Sequence, residues 1–407
     1  MSAIAEPAEP LVDTSDRLAK RNALVLAAAQ ALAGGNSIVI VSTAGLVGAT
    51  LVDKALATVP VSTYVLGMWM ATLPVGMIAK RFGRLATFEL GALCGAIAGV
   101  LCCLAVLRAS FALLCLGTLF GGFYAAVHQS YRFASTDTAS DAFKPRAISW
   151  VMTGGLFSAF VGPQLVIITK DLWPPYLFAA SYLAQAGVAI LSGVVLLATR
   201  IPRVVETSRR TGDGRPLLEI FRQPRLIVAV VCGVASYSMM NLVMTSAPVA
   251  MLDCHLTHDD AILGLQWHVV GMFAPSFFTG ALIARFGTDR IAGLGLAIIA
   301  LGALIALAGI GLWNFWTALI LLGVGWNFAF VGATALVTQC HRPNERNKVQ
   351  AVNDFLIFGS MAIASFSSGK LLASFGWNAV ADVVLPAVGI AAILLVAVNL
   401  LARPRPA

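Results

Sequence analysis

Gly76-Met-Ile-Ala-Lys-Arg-Phe-Gly83 and Gly280-Ala-Leu-Ile-Ala-Arg-Phe-Gly287 are two versions of one octapeptide. Each opens on glycine and closes on Arg-Phe-Gly, and each follows the second long apolar run of its half of the chain. A motif recurring at the same place in two halves is the mark of a parallel internal repeat. The runs around it are about 20 residues long, the length of helix that crosses a bilayer. Composition agrees. Of 407 residues, 59% are hydrophobic and only 11% charged, against roughly 25% charged in soluble proteins. The chain reads as an all-α membrane protein whose one obligate partner is the lipid bilayer. The alternating pattern of a transmembrane β-barrel is missing.

Twelve spans are expected, at 23–48, 61–79, 86–107, 109–130, 147–169, 176–198, 226–250, 262–283, 291–311, 313–338, 351–374 and 380–402. They group as an N-terminal six-helix half (1–198), a central loop (199–225) and a C-terminal six-helix half (226–407). The central loop carries Arg200, Arg203, Arg209, Arg210, Arg215, Arg222 and Arg225 around Gly212-Asp213-Gly214, and reads as too polar to pack. Lys and Arg concentrate on the side of that loop. The opposite loops hold only Lys54, Arg108 and Lys170, with Lys370 near the end of span 11. The excess of basic residues on the inner side places both termini in the cytoplasm. The net charge of +8 therefore serves orientation, and no nucleic acid is implied. No nucleotide-binding or hydrolytic motif appears, so neither an enzyme nor a resident cofactor is expected.

Twelve spans in two halves, with Gly-x-x-x-x-Arg-Phe-Gly after spans 2 and 8, resemble the major facilitator superfamily across essentially the whole chain. The resemblance implies a transporter with a central path between the halves. The chain departs from the usual pattern in carrying Lys80 where an acidic residue is common, and it lacks both the full glycine-proline signature in span 5 and the arginine many drug exporters keep in span 4.

The stretch Cys232–Met272 holds the expected functional site. Met240 and Met244 sit one helical turn apart on span 7, and His268 and Met272 one turn apart on span 8. The spans run in opposite directions, so Met240 falls level with Met272 and Met244 level with His268. If those faces meet, three thioethers and an imidazole make a neutral, soft donor set suited to copper(I). Cys232 toward the inner side and Cys254 in the outer loop are second-tier candidates for a copper or thiol relay. Pro248 and Pro275 should loosen the two helices beside the ligands. The plainer alternative is that the methionines fill the core and His268 bonds a neighbouring carbonyl. Met-x-x-x-Met on span 7 with His-x-x-x-Met on span 8 resembles the CcoA-type copper importers of bacterial inner membranes. That resemblance implies import of copper, as substrate rather than cofactor, for haem-copper cytochrome oxidase, with oxidase copper-assembly proteins as partners. Two other functions stay open: proton-coupled efflux of small organic molecules, and a copper sensor or assembly factor without transport. Asn36, Tyr124 and Trp326-Asn327 are expected near the central cavity.

Overall fold

A computed structural model describes residues 15–140, 143–201, 214–342 and 345–401, and among these it shows helices and connecting turns but no strand. The first six spans are α1 (Ser15–Leu51), α2 (Val59–Phe82), α3 (Arg84–Leu107), α4 (Phe111–His128), α5 (Lys144–Thr169) and α6 (Ala179–Leu196). The last six begin with α7 (Pro224–Asp253). Then come α8, which is His258–Phe273 continued by Ser276–Phe286, α9 (Thr288–Leu307) and α10 (Leu312–Gln339). The helix Arg346–Leu401 is 56 residues long, about 84 Å at 1.5 Å per residue and far more than one bilayer crossing. It is broken at Gly376, where φ is 77°, so it supplies α11 (346–375) and α12 (377–401). Twelve crossings put Ser15 and Leu401 at the same end of the helix bundle, here called the terminal side.

The two octapeptides do the same work in the two halves. Gly83 ends α2 at φ 90°, ψ 167°, and Gly287 ends α8 at φ 90°, ψ 155°. At each, the backbone N–H closes the last turn, onto Ala79 in one case and Ile283 in the other. Positive φ favours glycine, which has no Cβ to clash. This is why the motif must close on glycine. It lets the next helix start at once, at Arg84 and at Thr288.

Small residues let the helices approach closely, as membrane packing requires. α1 packs on α5, α2 on α4, α7 on α11 and α12, and α9 on α10. The last six helices share one large apolar core, whereas the first six are held by smaller clusters. A further cluster bridges the halves, with Val61, Tyr64 and Met68 of α2 against Met361 and Ala362 of α11. The polar links between the halves lie away from the terminal side. Lys54 pairs with Asp253 at 2.5 Å and Lys170 with Asp259 at 3.4 Å. Gln164 donates to Gln266 at 3.0 Å, and Ser62 meets Ser365 at 3.0 Å. Together they close the far end of the path.

Three details differ from the sequence reading. α1 starts at Ser15, earlier than 23, because polar residues of its first turns have partners. Asp16 accepts from the backbone N–H and hydroxyl of Ser140, and Asn22 bonds both the N–H and the carbonyl of Arg200. The central loop also packs in part. Leu217–Phe221 is a short helix with Ile220 fully buried, and Arg215 forms a two-pronged bond to Glu345 at 2.9 and 2.8 Å. Residues 202–213, including Arg203, Arg209 and Arg210, lie outside the described residues. Finally, the two prolines act differently. α7 stays helical through Pro248, whereas α8 bends by 40° at Ala274–Pro275.

Candidate functional site

The bend in α8 has a local cause and a local remedy. Pro275 has no N–H to donate, so the helical ladder fails there. Asn327 of α10 bridges the break. Its amide nitrogen donates to the Met272 carbonyl and to the Ser276 hydroxyl, each at 2.7 Å. Its amide oxygen accepts from the Thr279 hydroxyl at 2.6 Å. Asn327 and Thr279 are both buried. The clamp fixes where Met272 sits, and Met272 lies on the wall of a central cavity.

That cavity lies between the halves and draws its walls from α1, α2, α5, α7, α8 and α11. Met68, Met152, Met240, Met244, Met272 and Met361 all line it, six of the eleven methionines in the chain. Tyr64, Tyr237 and Phe273 add aromatic surface. A polar corner is made by Gln30 and Ser37 of α1 with His128, Gln129 and Arg132 at and beyond the end of α4. Within it, Gln30 Nε2 lies 3.3 Å from His128 Nδ1, and Ser37 Oγ lies 3.1 Å from His128 Nε2. The cavity is thus soft and apolar along most of its wall and hydrogen-bonding at one corner.

Of the residues expected to form a copper site, Met240, Met244 and Met272 do share this cavity. His268 does not line it. Its ring is fully buried and its Nδ1 is 2.7 Å from the Leu319 carbonyl of α10. One turn of helix thus separates a residue facing the path from one facing the neighbouring helix. Cys232 is buried against α12, with its thiol 3.9 Å from the Ala391 carbonyl, and Cys254 caps the end of α7. Neither cysteine lines the cavity. Among the described residues no cluster of three or more His, Cys, Asp or Glu side chains stands ready for a metal.

The other expected cavity residues are also used in packing. Asn36 donates to the Gln185 carbonyl and accepts from its side chain, both at 3.0 Å, joining α1 to α6. Tyr124 is fully buried within the first half. Trp326 stacks on Phe330 at 5.2 Å and meets Tyr237 edge-on. The sequence reading missed Gln30, Ser37, Tyr64, Met68 and Met361. A signal existed for Gln30: it is an amide inside an apolar run, where polar side chains are scarce unless they have work to do.

Twelve helices in two pseudo-repeated halves around a central cavity define a transporter. The chain belongs to the Major Facilitator Superfamily, whose family model matches residues 23–274 and 229–407. Among curated proteins it is 50% identical over 396 residues to the riboflavin transporter RfnT of Brucella anthropi, covering 97% of this chain and 99% of that one. It is 28% identical to the uncharacterized MFS-type transporter YdeG of Bacillus subtilis, over 95% and 93% of the two chains. Among solved structures, the xylose transporter XylE of E. coli, in a partially occluded inward-open conformation, superposes with a TM-score of 0.71. That match has 12% identity and covers 94% and 98% of the two chains. The nucleoside transporter NupG superposes with a TM-score of 0.69 at 13% identity, over 95% and 100%. These two show the shared fold.

The comparison corrects the expected cargo. A relative identical at half its positions over nearly the whole length is a riboflavin transporter and not a copper importer of the CcoA type. Copper import for cytochrome oxidase is therefore withdrawn as the reading of this chain. The error has a physical source: Met-x-x-x-Met and His-x-x-x-Met describe residue types on helices and leave open which way each points. Thioethers suit a soft metal, and they suit an aromatic ring equally well.

Proposed function

We propose that this protein carries riboflavin, or a closely related flavin, unchanged across a bacterial inner membrane through the central cavity, with both termini in the cytoplasm. The observation that carries the reading is the 50% identity to the riboflavin transporter over 97% of this chain. The cavity chemistry supports it. A flavin is a flat fused-ring heterocycle with an apolar benzenoid end and a polar imide edge. Thioether sulfur makes favourable contacts with aromatic rings, about 0.3–1.5 kcal/mol each, and methionine adapts to the shape it meets. Six methionines with Tyr64, Tyr237 and Phe273 offer such a wall, and Gln30, Ser37 and His128 offer hydrogen bonds at one corner. Small-molecule sites typically pair an apolar lining with a few placed polar groups in this way.

The division into halves at 1–198 and 226–407, joined by 199–225, supplies the two bodies that would rock about the cavity. The pairs Lys54–Asp253 and Lys170–Asp259, which join those bodies at the far end, would have to part for the path to open there. The test is riboflavin uptake by riboflavin-requiring bacteria that lack a flavin transporter. Cells making the protein should grow at limiting external riboflavin and accumulate labelled vitamin. Growth and accumulation no better than in cells carrying an empty vector, with the protein present in the membrane, would refute the proposal.

A further inference from the structure

The polar corner of the cavity leaves two buried atoms without a partner, Gln30 Oε1 and Arg132 Nε, and the first of them is an acceptor. Ser37 Oγ donates to the Ala33 carbonyl of its own helix at 3.3 Å. With its proton so placed, it accepts from His128 Nε2, 3.1 Å away. His128 must then carry its proton on Nε2, which leaves Nδ1 as a lone-pair acceptor. Gln30 meets Nδ1 at 3.3 Å and so must present its NH2 group there. The carbonyl oxygen at the other end of the amide is left over. Gln30 is 9% exposed, its Oε1 has no hydrogen-bond partner, and the residue lines the cavity. A buried carbonyl without a donor is unfavourable by roughly 1–3 kcal/mol, so such an atom in a binding cavity calls for a donor from the ligand.

We propose that Gln30 is the specificity-determining residue of this cavity. Its carbonyl oxygen accepts a hydrogen bond from the imide N–H of the flavin ring, and His128 and Ser37 are positioning residues that hold it in place. The assignment rests on the flavin reading above. The oxidised flavin ring carries a single N–H, at the imide nitrogen between two carbonyls, so one acceptor suffices to read it. Gln30 Nε2 is paired with His128, and turning the amide over would require His128 to move its proton to Nδ1 and Ser37 to give up the Ala33 carbonyl. The relay thus rejects a ligand that presents an acceptor or an alkyl group at that position. Sites built to hydrogen-bond one substrate group reject analogues lacking it far more strongly than apolar pockets do.

The experiment is binding of riboflavin and of its imide N-methyl analogue to the purified full-length protein, followed by quenching of flavin fluorescence. The unaltered protein should bind riboflavin about tenfold more tightly than the methylated ring, the ratio for one hydrogen bond of about 1.4 kcal/mol. Gln30→Leu should bind both flavins equally, at about the affinity the unaltered protein has for the methylated one. His128→Leu should lose the preference in the same way, and adding it to Gln30→Leu should change nothing more. Ser37→Thr, which keeps the hydroxyl, should keep the preference. Equal binding of both flavins by the unaltered protein would overturn the assignment and leave flavin transport standing, and this comparison needs no variant to fold. A full preference retained by Gln30→Leu would overturn it as well. Failure of the unaltered protein to bind either flavin would remove the flavin reading and this assignment with it.

Discussion

Replacing Asn327 by alanine should both weaken the fold and move the cavity wall. Asn327 makes three short hydrogen bonds at the break in α8: 2.7 Å to the Met272 carbonyl, 2.7 Å to the Ser276 hydroxyl and 2.6 Å from the Thr279 hydroxyl. Side-chain hydrogen bonds in membrane proteins contribute about 0.6 kcal/mol each on average, with a maximum near 1.7. Three of them give about 2 kcal/mol. Thr279 retains a second acceptor, the Pro275 carbonyl at 2.7 Å, so its share of the loss is small. Reversible unfolding in mixed micelles should therefore show Asn327→Ala destabilised by about 2 kcal/mol, and Thr279→Val by about 0.6 kcal/mol. A double-mutant cycle between the two should be non-additive. Because Met272 lines the cavity, Asn327→Ala should also weaken ligand binding more than its distance from the ligand would suggest. An Asn327→Ala protein with unchanged stability and unchanged binding would refute the clamp.

Three other expectations follow from particular contacts. Met240→Leu and Met272→Leu keep volume but remove sulfur, so each should weaken flavin binding roughly two- to tenfold, from about 0.3–1.5 kcal/mol per sulfur–aromatic contact. Copper accumulation, measured in the same cells, should stay at the empty-vector level in all of them. The Arg215 guanidinium beside Glu345, helped by the backbone N–H groups of Arg342 and Arg215, holds that carboxyl well below the usual carboxylate range. Its contribution is complete above the ordinary carboxylate pKa and is lost as pH falls through the lowered value. Glu345→Gln should thus lower stability at neutral pH and flatten its decline in acid, as thermal unfolding between pH 7 and pH 3 would show. A Cβ on Gly154 would lie 2.1 Å from the Ala27 carbonyl across the α1–α5 contact. Gly154→Ala should therefore force those helices apart and sharply reduce the amount of folded protein recovered from the membrane.

The fold was legible because its signals are long and redundant. Twelve apolar runs, a one-sided distribution of Lys and Arg, and a repeated octapeptide ending on glycine each pointed to the same architecture. Positive φ at Gly83 and Gly287 shows why that octapeptide could be trusted. The site was half legible. Period and depth placed Met240, Met244 and Met272 near one another, and all three line one cavity. Period could not show that His268, four residues before Met272, turns its ring to the Leu319 carbonyl, because α8 lies between the cavity on one side and α10 on the other. Nor could it join Gln30 to His128, which stand 98 residues apart on different helices. Cargo was the least legible of all. Thioethers and a histidine within two spans read naturally as a metal site, and the full set of lining residues adds aromatic and amide side chains that the two spans alone did not display.

The central claim is best tested with the protein alone in sealed liposomes. Riboflavin placed outside should equilibrate with the interior faster than across protein-free liposomes, with a rate that saturates as its concentration rises. Gln30→Leu should lower that rate at limiting riboflavin while leaving the amount of reconstituted protein unchanged. Riboflavin entry equal to that of protein-free liposomes at every concentration, with the protein folded and inserted, would contradict the account.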